Sequence, residues 1–129
     1  MELLPEGQKN NTEVNWEDQQ KINNFSTLIA RKDRLSEELK GYRTEKEYLD
    51  DLSMEIELLD EDEKVNYKIG DAFILLKQEE AVEKLQQEND HLDNEISRLE
   101  SLVEDLDGKL AVLKKQLYAK FGTAINLER

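Results

Sequence analysis

Over residues 82–117, apolar side chains recur at alternating intervals of three and four. Written as heptads, the a positions are Val82, Asn89, Ile96, Val103, Leu110 and Leu117, and the d positions are Leu85, Leu92, Leu99, Leu106 and Leu113. A repeat averaging about 3.5 residues keeps one narrow seam turned toward a partner helix while the rest meets water. Asn89 is the polar exception in the seam, and it fits a register device better than a ligand. A chain organised around such a seam works through surfaces and partners rather than through a pocket.

Composition agrees. Of 129 residues, 37% are hydrophobic and 38% charged, which suits solvated paired helices better than a thick-cored globule. The absence of cysteine excludes disulfides, thiolate metal sites and a cysteine nucleophile, and fits a reducing compartment. Net charge is −13, and Asp50, Asp51, Glu55, Glu57, Asp60, Glu61, Asp62 and Glu63 follow one another without an intervening base. Such a surface repels phosphate backbones and anionic membranes, so neither nucleic acid nor membrane is expected as a partner. The longest apolar run, residues 72–76, is far short of the ~20 needed to span a bilayer. Met1-Glu2-Leu3-Leu4-Pro5 has neither the basic nor the apolar region of a signal peptide. The expected location is the cytoplasm, with the nucleus as the alternative.

Residues 1–14 are polar and unpatterned and are expected to form a disordered tail. A first helix is expected over 15–59, with Asn15 as N-cap and Glu17 and Asp18 in its first turn. Its d positions are apolar (Leu28, Leu35, Tyr42, Leu49, Ile56), whereas its a positions are mixed (Phe25, Lys32, Leu39, Lys46, Ser53). The lysines can bury their stems there while the ammonium groups reach water. Residues 65–77 then change period: Val65-Asn66-Tyr67-Lys68-Ile69 alternates, Gly70-Asp71 signals a two-residue turn, and an apolar run follows. A second helix is expected over 79–121, capped by Gly122, with a tail over 123–129.

Helices of equal length, each about 60 Å at about 1.5 Å per residue, joined by a reversing hairpin should fold back on each other. The expected fold is mainly α: a long antiparallel two-helix coiled coil joined by a single β-hairpin, with one domain over 15–122. Pivoting at Ile69 sets Val82 against Ile56, Asn89 against Leu49, Val103 against Leu35 and Leu113 against Phe25. The same register brings Arg43 toward Asp93.

Two features exceed a plain coiled coil. In the hairpin, residues 73–76 are apolar on both faces, and a lone hairpin is marginal in water. Either hairpins from several chains share a sheet or barrel, or the segment merely caps the helix pair. Where the helix termini meet, Ile22 and Ile29 broaden the stripe beside Phe25 and Leu28, and Leu117, Tyr118 and Phe121 cluster with Ile125 and Leu127. An open apolar tip would hold something nonspecific; ordinary end packing, with Trp16 or the tail folded over, is the other reading. There is no glycine-rich phosphate loop and no metal-ligand cluster. His91 lies at a solvated position, and carboxylate pairs such as Glu100 and Glu104 have no concave wall to shift them. No enzyme, cofactor or metal is expected.

Specific strings sharpen the picture. Glu17-Asp18-Gln19-Gln20-Lys21-Ile22-Asn23 with Phe25, Tyr67-Lys68-Ile69-Gly70-Asp71-Ala72-Phe73-Ile74, and Leu117-Tyr118-Ala119-Lys120-Phe121-Gly122 with Ile125-Asn126-Leu127-Glu128 resemble the β-type subunits of eukaryotic prefoldin. The resemblance covers nearly the whole chain. It implies an ATP-independent co-chaperone, a heterohexamer of α-type and β-type subunits whose hairpins form a barrel. Its coiled-coil tips would capture unfolded actin and tubulin and deliver them to the cytosolic chaperonin. On that basis Val65, Tyr67, Ile69, Gly70, Phe73 and Leu75 are assembly residues. Ile22, Phe25, Ile29, Leu117, Tyr118, Phe121 and Ile125 are client-binding residues. Lys21, Lys114, Lys115 and Lys120 at the same tip add a polar component. The competing class is a structural adaptor that holds one fixed partner.

Overall fold

A computed structural model of the chain describes residues 2–3, 13–69 and 71–127. The elements run β1 (Glu2–Leu3), α1 (Trp16–Glu57), β2 (Lys64–Ile69), β3 (Ala72–Lys77), α2 (Gln78–Phe121), a 3-10 turn (Gly122–Ala124) and β4 (Ile125–Asn126). Two long helices joined by an antiparallel hairpin are therefore the fold that the heptads and the change of period predict. Two compact units divide the chain: Met1–Glu37 with Ser101–Arg129, and Glu38–Glu100.

The helix ends follow from local chemistry. Asp18 N–H donates to Asn15 Oδ1 at 2.8 Å and Asn15 N–H donates to Asp18 Oδ2 at 3.1 Å, a reciprocal cap that satisfies two otherwise orphan donors. At the other end of α1, the Leu58 and Leu59 amides bond to the carbonyls of Glu55 and Ile56, tightening the last turn and ending the α-helix at Glu57, before the expected 59. Gln78 is buried there, its Nε2 donating to the Ile56 carbonyl at 3.2 Å and its N–H to the Glu63 carbonyl at 2.7 Å. One side chain thus closes α1 and opens α2. Gly122 takes φ 56°, the left-handed value that terminates a helix with no penalty only in glycine.

In the unit of Glu38–Glu100, the helices run antiparallel with Leu39, Leu49, Ile56, Leu85, Leu92 and Leu99 buried between them. The polar seam residues meet each other. Lys46 Nζ donates to Asn89 Oδ1 at 2.7 Å and reaches Asp93 at 2.6 Å, and Asn89 Nδ2 donates to Asp50 at 3.2 Å. Asp93 beside it raises the Lys46 ammonium above the ordinary lysine value. The expected Arg43–Asp93 contact is corrected: Asp93 pairs with Lys46, and Arg43 lies 3.8 Å from Glu100. Lys46 reaches Asp93 from a seam position, so the nearer cation takes the carboxylate. In the unit of the chain termini, Lys32 likewise leaves its seam position to pair with Asp107 at 2.5 Å. The seam lysines thus reach acids on the facing helix as well as water.

Glu2 and Leu3, in the N-terminal segment expected to be disordered, pair antiparallel with Asn126 and Ile125 of the C-terminal tail. The alternation Ile125-Asn126-Leu127, two apolar residues around a polar one, supplies the local reason for β4. Most of the N-terminal tail expectation, over residues 4–12, lies outside the described residues.

Candidate functional site: hairpin face and helix-terminal cluster

Pairing of Val65 with Leu76, Tyr67 with Ile74 and Lys68 with Phe73 fixes the register of the hairpin. Side chains alternate across a sheet, so Val65, Tyr67, Ile74 and Leu76 share one face while Asn66, Lys68, Phe73 and Leu75 share the other. Tyr67 is buried among Leu49, Ile56, Ala81, Leu85 and Leu92, with Val65 and Leu76 packed beside it. Burial pushes its hydroxyl up to about 12, with the Glu88 carboxylate adding to the rise. Phe73 and Leu75 are 65% and 60% exposed. Neither strand has a second neighbour among the described residues, so each keeps an outer edge of unpaired backbone groups.

The structure therefore divides the expected assembly set. Phe73 and Leu75 face outward, but Val65 and Tyr67 are taken up by this chain's own helices. The backbone of Ile69 pairs with Ala72, and Gly70 lies outside the described residues. A groove of about 460 Å³ beside the strands is lined by Tyr48, Leu49, Leu52, Ile56, Tyr67 and Phe73 among others, with Glu45 and Glu88 contributing acid. Tyr48 is 65% exposed there, an apolar contact that the heptad pattern missed because it lies outside the a and d positions.

In the other unit, Ile22, Phe25, Leu110, Leu117, Phe121, Ala124, Ile125 and Leu127 form one buried cluster, with Ile29 and Tyr118 packed against it. All the residues proposed from sequence for client binding are thus brought together. They are not open, however: Phe25 is 3% and Leu117 1% exposed. Of the two readings left open by the sequence, an open tip and a tip with the tail folded over it, the arrangement here is the second: Ala124, Ile125 and Leu127 fold back and complete the cluster. The cluster removes more apolar surface from water with this cover than the two helices could alone. Trp16 takes no part in the cover and is 75% exposed.

Charge surrounds this core. Lys120 pairs with the buried Asp18, holding its carboxyl below the usual aspartate value, the Lys120 contact being the largest cause. The Lys120 ammonium also lies 5.7 Å from the Phe121 ring, and Lys114 lies 6.0 Å from the Tyr118 ring. The Tyr118 hydroxyl accepts the Leu127 N–H at 3.0 Å. Sequence reasoning placed Leu127 beside this cluster and missed Asp18 as part of it. Among the described residues no His, Cys, Asp or Glu group could hold a metal ion, and His91 is exposed. Among the described residues no helix is long and apolar enough to cross a membrane.

A family model described as "Prefoldin subunit" matches residues 19–124. The chain is 59% identical to prefoldin subunit 4 of Saccharomyces cerevisiae, over 100% of both chains. It is 46% identical to prefoldin subunit 4 of Homo sapiens, covering 89% of this chain and 87% of that one. The crystal structure of the prefoldin beta subunit from Thermococcus strain KS-1 superposes with a TM-score of 0.77, at 18% identity, over 86% of this chain and 97% of that one. The last likeness concerns the fold alone. The chain belongs to the prefoldin subunit family and is a co-chaperone component, not an enzyme.

Proposed function

We propose that this chain assembles with α-type and β-type prefoldin subunits into a heterohexamer through the β2–β3 hairpin. In that complex the helix-terminal cluster holds unfolded proteins, actin and tubulin among them, for the cytosolic chaperonin. The observation that carries the assembly half is the outward pair Phe73 and Leu75 on a sheet with two open edges. An apolar face of that kind, set on a hairpin too small to stand alone, gains most when neighbouring hairpins cover it. The groove beside Tyr48 and Phe73 extends the same surface, and its glutamates favour a neighbour carrying basic side chains.

Client holding rests on the cluster of Ile22, Phe25, Ile29, Leu117, Tyr118, Phe121 and Ile125, ringed by lysines. Holding needs no nucleotide. Several weak contacts from different subunits act together, so net affinity is useful while each contact stays labile. The location that fits such a role is the cytoplasm.

The test replaces the half-buried Ile29 by serine and leaves the core of the cluster and the Tyr118–Leu127 bond intact. The hexamer should form normally and suppress aggregation of unfolded actin less well. Unchanged suppression removes the cluster from the account. Suppression confined to one protein among several unrelated ones identifies a fixed-partner adaptor instead.

A further inference from the structure

The helix-terminal unit is closed by its own chain. After the turn at Gly122, Ile125 and Leu127 are buried against the cluster of Phe25, Leu117 and Phe121, while Asn126 between them is exposed. That alternation is an extended segment laid on an apolar surface. Among the contacts that hold it are the burial of Ile125 and Leu127, the Leu127 N–H bond to the Tyr118 hydroxyl and a two-residue ladder with Glu2 and Leu3. Beside Leu127 a groove of about 640 Å³ stays open, lined by Phe25, Ile29, Leu110 and Ala111 and edged by Lys32 and Asp107. The surface therefore has a seat shaped for an apolar–polar–apolar strand, a hydroxyl aimed at its backbone, and a short occupant on a glycine hinge.

We infer that residues 125–127 are a built-in stand-in for the client, displaced when an extended apolar–polar–apolar segment of an unfolded protein takes the same seat on Phe25, Leu117 and Phe121. This inference rests on the client-holding reading and names what the cluster recognises. The strap keeps a contiguous apolar patch from meeting other molecules when no client is present. It also lowers apparent affinity by the fraction of time it is closed. Folded proteins, whose apolar strands are already paired and buried, do not compete with it.

The test uses the assembled complex with benzoylphenylalanine at Ile29, which lines the groove, and reduced carboxymethylated α-lactalbumin as a permanently unfolded probe. Three forms are compared: the natural strap, a strap released by Ile125→Ser with Leu127→Ser, and a strap tied by a bis-maleimide bridge between Ala111→Cys and Leu127→Cys. Within this chain the bridge has only one possible pair because there is no other cysteine, and the bridged subunit is purified before it is assembled with its partners. Cross-linked probe should rise about fivefold on release, as for a site that is mostly closed, and fall to background when the strap is tied. Equal yields from the released and tied forms overturn the strap and leave the cluster as a binder. No cross-link from position 29 in any form, by a complex that still binds the probe, removes the client-holding reading together with the inference. Unchanged helical content in circular dichroism shows that the released form keeps its fold.

Discussion

Replacing Phe73 by aspartate should abolish assembly while leaving the helices intact. Phe73 is 65% exposed in the isolated chain, so its fold gains little from the ring. Burying a phenylalanine completely contributes about 1.5–3 kcal/mol, which leaves about 1–2 kcal/mol to be gained when another subunit covers it. The aspartate forfeits that gain and sets a carboxylate in an apolar contact, where an unpaired buried charge costs about 3–5 kcal/mol. The combined loss of about 4–7 kcal/mol corresponds to roughly a thousandfold to a hundred-thousandfold in the association constant. Lys68, directly across the ladder, can reach the new carboxylate and places the effect toward the low end. Sedimentation velocity on the co-refolded subunits reads assembly, and far-ultraviolet circular dichroism of the free variant reads its helices. Phe73→Leu should assemble normally. A hexamer formed at normal concentration by Phe73→Asp would refute the assignment of the outward face to assembly.

Three further outcomes follow from the interior. Leu99 is 0% exposed, so Leu99→Ala should cost about 2–5 kcal/mol in thermal or urea unfolding, whereas Tyr48→Ala at a 65% exposed position should change the free chain little. Asp18 has its carboxyl held below its ordinary value by Lys120, so its stabilisation is complete above about pH 4 and is lost as pH falls through the folded value. Asp18→Asn should therefore flatten the acid limb of the stability profile. Tyr67 ionises near 10 in the unfolded chain but at about 12 in the fold, so stability should fall between those values and level off above them. Lys46, also raised, loses its contribution in the same alkaline direction. Comparing Tyr67→Phe with the natural chain in alkaline urea titrations isolates the tyrosine share.

The heptads carried the fold because a strict seam constrains which helix faces meet, and the change of period at Val65 allowed only a reversing hairpin. Asn15, Gly122 and the turn before Ala72 were legible for the same reason: each position asks for a backbone geometry or capping group that few residues supply. The division of the hairpin was not legible. Alternation places Val65 with Tyr67 and Phe73 with Leu75, but which face turns to the helices depends on packing against Leu49, Ile56 and Leu85. The cover over Phe25 and Leu117 stayed one of two readings, because three residues beyond a helix end do not fix what they pack against. The Lys46–Asn89 contact was hidden in plain sight, since each exception to its seam makes sense only once the other faces it.

Amide hydrogen exchange on the free chain, the assembled complex and the complex loaded with unfolded protein separates the two surfaces in one experiment. Assembly should slow exchange across residues 64–77 and leave residues 22–29 and 117–127 unchanged, and loading should then alter only the latter two stretches. Hairpin amides that exchange equally fast in the free and assembled chain would contradict the account.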